Sequence, residues 1–158
     1  MVKMIEGNVF VPNSNFIVNN VTCEGDIDND VLEFCPHAES ECLKFIRHCN
    51  KKNKSILGSV QYIPVDSWAL IMCDTIGNEK IDAYDKNYQY IVNLFGINNE
   101  GKTDYKALKH GFYDIKEKAK NIGATIAIPY DIGGKQRDKI VELIHKVFKD
   151  EVIVEIYK

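Results

Sequence analysis

The chain has 158 residues, 45% of them apolar and 27% charged, with a formal charge of −3 at pH 7. That length supports one hydrophobic core and is short for two, so residues 1–158 are read as a single domain. No basic run exceeds "KKNK" at 51–54, which argues against a nucleic-acid groove, and nothing approaches the ~18 consecutive apolar residues of a membrane span.

The N-terminus "MVKMIEGNVF" lacks the charged-then-apolar layout of a signal peptide, so a cytoplasmic protein is expected. In a reducing compartment its five cysteines are buried thiols rather than bridges. Along the chain, apolar runs of strand length alternate with segments of helical period. "NFIVNNV" is a strand, and a helical stretch follows at 28–52, in which Pro36 ends or kinks a short first turn before "AESECLKFIRHC" resumes. "GSVQYIPV", "WALIMCD" and "YQYIVNLFG" are read as strands, with the polar, turn-rich 74–87 as a surface excursion between the last two.

A helix over 104–121 carries Tyr105, Leu108, Phe112, Ile115 and Ala119 on one face, with Thr103 or Asp104 as its cap and Gly123 at its end. "ATIAIPY", a helix over 137–148 and "EVIVEIY" complete the pattern. Near-continuous apolar strands such as "ATIAIPY" have no wet face, which predicts an α/β fold with helices on both sides of the sheet.

Cys35, Cys42 and Cys49 recur every seventh residue, with His37 and His48 nearby. Seven residues of helix span ~10 Å, too far for one ion to be shared by all three, so they read as a stripe of small residues facing the core and no metal is expected. His110 and His145, like His37 and His48, fall on helical stretches, as exposed or half-buried surface histidines. Trp68, Tyr84, Tyr88 and Tyr90 gather around the 74–87 excursion, either as core lining or as a patch for a protein partner.

The stretch "NNVTCEGDIDNDVLEF" carries the sharpest question. A strand runs into a helix start there, the kind of junction where α/β proteins hold phosphate. Yet Glu24, Asp26, Asp28, Asp30 and Glu33 crowd it with no Lys or Arg beside them. Acids in a first helical turn favour the macrodipole and cap free N–H groups, worth ~0.3–1 kcal/mol each. Asp26, Asp28 and Asp30 alternate like calcium-loop ligands, but the invariant Gly and the closing bidentate Glu are missing.

A second junction is "PYDIGGKQRD", where Gly133 and Gly134 permit close backbone approach and Lys135 and Arg137 stand at a helix start. Together with "IEGNVF", "FIVNNVTCEG", "YQYIVNLFG", "TDYKAL" and "ATIAIPYDIGG", these junctions make the chain resemble the macro domain family, nearest its bacterial and phage ADP-ribose-1″-phosphate processing branch.

That resemblance implies a three-layer α/β/α sandwich around a mixed sheet, with ADP-ribose or a related adenine nucleotide derivative bound between the two junctions. It carries the ligand site onto Asn8, Val9, Thr22, Gly25, Ile27, Asp28, Tyr130, Ile132, Gly133 and Gly134. No cofactor, no membrane and no nucleic-acid partner follow from it, and a protein partner stays open.

Departures from the family pattern reshape the expected chemistry. An Asp that accepts from the adenine amino group in relatives is Asn8 here, whose amide oxygen still accepts. The Asn beside the distal ribose is Thr22, and glycines that close around the diphosphate are replaced by Asp28 and Asp30. A carboxylate ~5 Å from a phosphate charge repels it by about 3 kcal/mol at an effective dielectric of ~20, before salt screening. That matches or exceeds the ~1.5–3 kcal/mol of one charge-assisted hydrogen bond.

For catalysis, relatives that cleave ADP-ribosyl esters covalently use a Lys whose place falls near Gly96 and Ile97, and an Asp in a loop that is shortened here. No catalytic residue is assigned; Asp131 and Asp138 are the nearby acids. The reading is a binding module of altered specificity with little hydrolysis. The alternatives are an ADP-ribosyl or ADP-ribose-1″-phosphate hydrolase, and a protein-interaction domain that has lost the nucleotide.

Overall fold

A computed structural model of the chain describes residues 1–11, 13–72 and 87–158. In chain order the elements are β1 (Val2–Ile5), β2 (Phe16–Thr22), α1 (Asn29–Phe34), α2 (Ala38–Lys51), β3 (Val60–Pro64), α3 (Ser67–Met72), β4 (Tyr90–Ile97), α4 (Tyr105–Ile122), β5 (Ile126–Pro129), a 3-10 segment (Tyr130–Gln136), α5 (Arg137–Phe148) and β6 (Val154–Tyr157).

The six strands form one sheet in the order β1-β6-β5-β2-β4-β3. All neighbours run parallel except β3, which lies antiparallel on β4. Strand alternation sorts the side chains of β2 and β4 onto two covered faces. Phe16, Val18, Tyr90, Val92 and Leu94 pack against α4 and α5, while Ile17, Ile91, Val21 and Phe95 meet α1 and α2. The result is the α/β/α sandwich expected from the strand composition.

Helix ends follow the sequence signals. Asp104 caps α4, its Oδ1 accepting from the Ala107 N–H at 2.9 Å, and Gly123 ends it in the left-handed region at φ 70°. Pro36 separates α1 from α2 as anticipated. Cys35, Cys42 and Cys49 are all buried, forming the core-facing stripe.

One element differs in kind. "WALIMCD" begins as helix α3 rather than as a strand, and Cys73 and Asp74 at its end lie outside the described residues. The reason is the preceding Asp66, whose Oδ1 accepts from the N–H groups of Trp68 at 2.8 Å and Ala69 at 3.1 Å. That is an N-cap, and it turns an apolar run into helix before strand pairing can begin.

Trp68 therefore does not line the core: it is 78% exposed on α3, whereas Tyr90 is fully buried in β4. The rest of the aromatic group divides, with Tyr88 partly exposed and Tyr84 outside the described residues. Of the 74–87 excursion, only Asn87 is described.

The histidines keep to helix surfaces, His110 and His145 exposed and His48 half-buried. His37, at the start of α2, places Nε2 2.7 Å from the Pro64 carbonyl, tying α2 to the end of β3.

Candidate functional site

Because β1, β2, β4, β5 and β6 are mutually parallel, their carboxyl ends share one edge of the sheet. A cleft of ≈ 280 Å³ opens there, between the loop after β1, the start of α1 and the end of β5. Its walls include Asn8, Phe10, Asp28, Asp30, Asp131 and Tyr157, with Asn19 of β2 among the residues beneath them.

A more open recess shares Asn8, Phe10 and Asp30 and adds Glu33 and Phe34. Phe10 and Phe34 pack there with their rings tilted by 37° and centroids 5.2 Å apart. A larger cavity of ≈ 510 Å³ lies just past the end of β2, lined by Cys23, Lys54, Asn98 and Glu100 among others. It is built from the loops after α2 and β4, whereas the smaller cleft joins the two junctions singled out in the sequence.

Of the residues expected to bind ligand, the structure brings Asn8, Val9 and Asp28 into this cleft. Asn8 sits in a turn beyond β1, and its Oδ1 already accepts the Phe10 N–H at 2.9 Å. Asp28 occupies the N-cap position of α1 but makes no side-chain capping bond. The capping role expected of this carboxylate is therefore not realised: Asp28 and Asp30 are both exposed and face the cleft wall instead.

The remaining candidates do not line the cleft. The Thr22 hydroxyl is engaged with Asp26, donating to Oδ2 at 2.8 Å and accepting the Asp26 N–H at 3.1 Å. Gly25 is buried at φ 90°, and a Cβ there would meet Ile46 Cδ1 at 3.1 Å, so its role is to let the junction lie on α2. Ile27 packs between two core clusters.

At the second junction Ile132 is buried and its carbonyl accepts from Asn20 Nδ2 at 3.0 Å. Gly133 is buried as well, and a Cβ there would fall 2.5 Å from Ile140 Cγ1. Its close approach is to α5; Gly134, at φ 56°, is exposed with open space around it. Tyr130 donates to Asp138 Oδ1 at 3.0 Å, a bond that pushes its own phenol pKa up, and Arg137 and Lys158 lie over its ring at 5.5 and 5.2 Å. The two bases at this helix start are exposed and outside the cleft wall.

No lysine stands at the end of the central strand. Gly96 donates its N–H to Asn20 Oδ1 at 3.0 Å, and any Cβ there would lie 2.5 Å from both Asn20 Oδ1 and Leu108 Cδ2. Asp138 is tied to Tyr130, and Asp131 is the one acid of the shortened loop that reaches the cleft.

Sequence reasoning passed over Asn19. This residue is only 8% exposed and lines the cleft from the middle of β2. Its Nδ2 donates to Asn93 Oδ1 at 3.4 Å, Asn93 Nδ2 to Gln61 Oε1 at 3.4 Å, and Gln61 Nε2 to the Glu41 carbonyl at 2.8 Å. The signal was available as the amide pair Asn19 and Asn20 in a largely apolar strand, where a buried amide demands a partner. Phe10, Pro129 and Tyr157 were also missed, because the loop after β1 and the ends of β5 and β6 converge only in the folded chain.

No protein-family model matches the sequence, and no curated protein matches it significantly. Solved structures do match it in shape. A macrodomain protein from Streptomyces coelicolor superimposes with a TM-score of 0.72 at 16% identity, covering 100% of this chain and 99% of that one. The macrodomain of Thermus aquaticus DarG gives 0.70 at 15% identity, covering 100% and 98%. Thermosipho africanus DarTG, solved in complex with ADP-ribose, gives 0.70 at 18% identity, covering 99% of this chain and 41% of that one. At such identities the likeness speaks to backbone architecture, and on that ground the chain has the macrodomain fold.

Proposed function

We propose that this chain binds ADP-ribose or a related adenine nucleotide derivative, with altered specificity and little catalysis. The fold supports the ligand class, since a neighbour of the same architecture was solved with ADP-ribose. One observation carries the altered specificity: among the described residues, the cleft at the strand carboxyl ends is lined by Asp28, Asp30 and Asp131 and by no Lys or Arg. Exposure of the three carboxylates screens their repulsion of a diphosphate without removing it. Little catalysis accords with the lack of space for a side chain at Gly96, and with the engagement of Thr22 by Asp26 and of Asp138 by Tyr130.

Calorimetry with ADP-ribose at low salt tests this reading. Weak binding by the natural chain is expected, tightening at least tenfold in Asp28→Asn/Asp30→Asn, with no ADP-ribose released from a modified protein. Absence of binding to any adenine compound, in parent and variant alike, would overturn it. The protein-interaction reading draws support from Trp68 and Ile71, 78% and 76% exposed on α3, and would gain from that result.

A further inference from the structure

Resting on that reading of the cleft, we propose that Asn19 is its specificity-determining acceptor, selecting a neutral, amine-bearing purine nucleoside over the same purine without the amine and over diphosphate-bearing ligands. The argument begins in the sheet. Asn19 and Asn93 stand opposite each other in the β2–β4 register, and Gln61 opposite Asn93 in the β3–β4 register. All three amides lie on the α1/α2 side of the sheet, in line with Ile17, Ile91 and Ile63.

The ladder has a direction. Gln61 is pinned at its far end because its Nε2 donates to a backbone carbonyl, that of Glu41. Its Oε1 therefore accepts from Asn93 Nδ2, which turns Asn93 Oδ1 toward Asn19 and requires Asn19 to present Nδ2. Asn19 Oδ1 is left as an acceptor without a partner among the described residues, on a side chain that is more than nine-tenths buried and lines the cleft.

A buried acceptor of this kind is satisfied by a donor on the ligand. Asn8 is a weaker reader of that donor, because one lone pair of its Oδ1 already accepts the Phe10 N–H. Size and charge agree with a nucleoside. At ≈ 280 Å³ the cleft lies just below the ~300–1,000 Å³ typical of ligand sites, and its charged lining groups among the described residues are Asp28, Asp30 and Asp131. A purine amine offers N–H groups and no negative charge to this set of oxygens.

Equilibrium titration of the full chain with adenosine, purine riboside (which lacks the exocyclic amine) and ADP-ribose tests the assignment. Adenosine is expected to bind at least as tightly as ADP-ribose, and purine riboside at least tenfold more weakly than adenosine. The discrimination is expected to survive Asn8→Ala and to vanish in Asn19→Ala. Should Asn19→Ala fail to fold, the side-chain amide resonance of Asn19 in the natural protein replaces it, shifting with adenosine and not with purine riboside.

Equal affinity for adenosine and purine riboside, loss of discrimination in Asn8→Ala, or an Asn19 resonance indifferent to adenosine each overturns the assignment while leaving the binding module standing. Tight ADP-ribose binding without adenosine binding does the same. If neither ligand binds, the functional reading fails first and this inference with it.

Discussion

Asn93 Nδ2 lies 3.4 Å from Gln61 Oε1, joining β4 to the edge strand β3 through two side chains with no exposed surface. Asn93 both accepts from Asn19 and donates to Gln61, so it holds the middle of the ladder. Asn93→Ala removes the acceptor of Asn19 Nδ2 in a buried layer, and an unsatisfied buried polar group costs ~1–3 kcal/mol. The urea midpoint of Asn93→Ala should fall accordingly, with the dependence on denaturant unchanged. A variant as stable as the parent would show that the ladder adds nothing to stability.

Gly133 supports the site by letting the second junction rest on α5. A methyl group there meets Ile140 Cγ1 at 2.5 Å and Cβ at 2.9 Å, both close to the backbone of a packed helix. Overpacking of this kind costs typically ~1–3 kcal/mol. Gly133→Ala is expected to lower the melting temperature, whereas Gly134→Ala adds no clash and acts only through its positive φ. Because the nearest clash is with Cγ1, Gly133→Ala should cost less in an Ile140→Ala background than in the natural chain, a coupling read from thermal melts of the double-mutant cycle.

Asp66 and Asp104 cap α3 and α4 by accepting backbone N–H groups, at 2.8 and 3.1 Å for the first and 2.9 Å for the second. Loss of an N-cap costs ~0.5–2 kcal/mol. Asp104→Ala should destabilise the whole protein by about 1 kcal/mol in chemical denaturation, since α4 packs on the main core. Asp66→Ala should instead loosen α3 locally, seen as faster amide exchange at Trp68 and Ala69 with a smaller change in the global midpoint.

Burial pushes the Cys35 thiol up to about 11 and the Cys42 thiol up to about 12, from an ordinary value of 9.0. The folded chain thus holds these protons at pH values where the unfolded chain releases them. Their stabilising contribution is complete below pH 9 and is lost as pH rises toward 11 and 12, with a slope approaching ~1.4 kcal/mol per pH unit per thiol. Folding free energies measured from pH 8.5 upward should decline less steeply in Cys42→Ala than in the natural chain. Equal slopes would mean that Cys42 ionises as freely folded as unfolded. Alkylation at pH 8 should likewise spare Cys35 and Cys42 until the protein unfolds.

Much of the framework was legible in residue order alone. The runs "FIVNNV", "YIVNLFG" and "ATIAIP" are too apolar for any place but a sheet covered on both faces, and the period of Leu108, Phe112, Ile115 and Ala119 leaves no choice but a one-faced helix. The Asp104 and Gly123 signals marked the ends of α4, because capping depends on chemistry within a few residues of the terminus. The same local logic, applied to Asp66, would have identified α3, where an apolar run was instead read as a strand.

What the sequence by itself determined was the layered sheet and the presence of uncompensated acids at the first junction, since both follow from local period and local charge. The tertiary structure decided which groups face the cleft. It withdrew Thr22, Gly25, Ile132 and Gly133 into contacts with the protein's own chain, and it exposed Asp28 and Asp30 along the cleft wall. It also set the polarity of the amide ladder that frees Asn19 Oδ1. A side-chain amide has no direction in a sequence; it acquires one only when strand register fixes which neighbour it must satisfy.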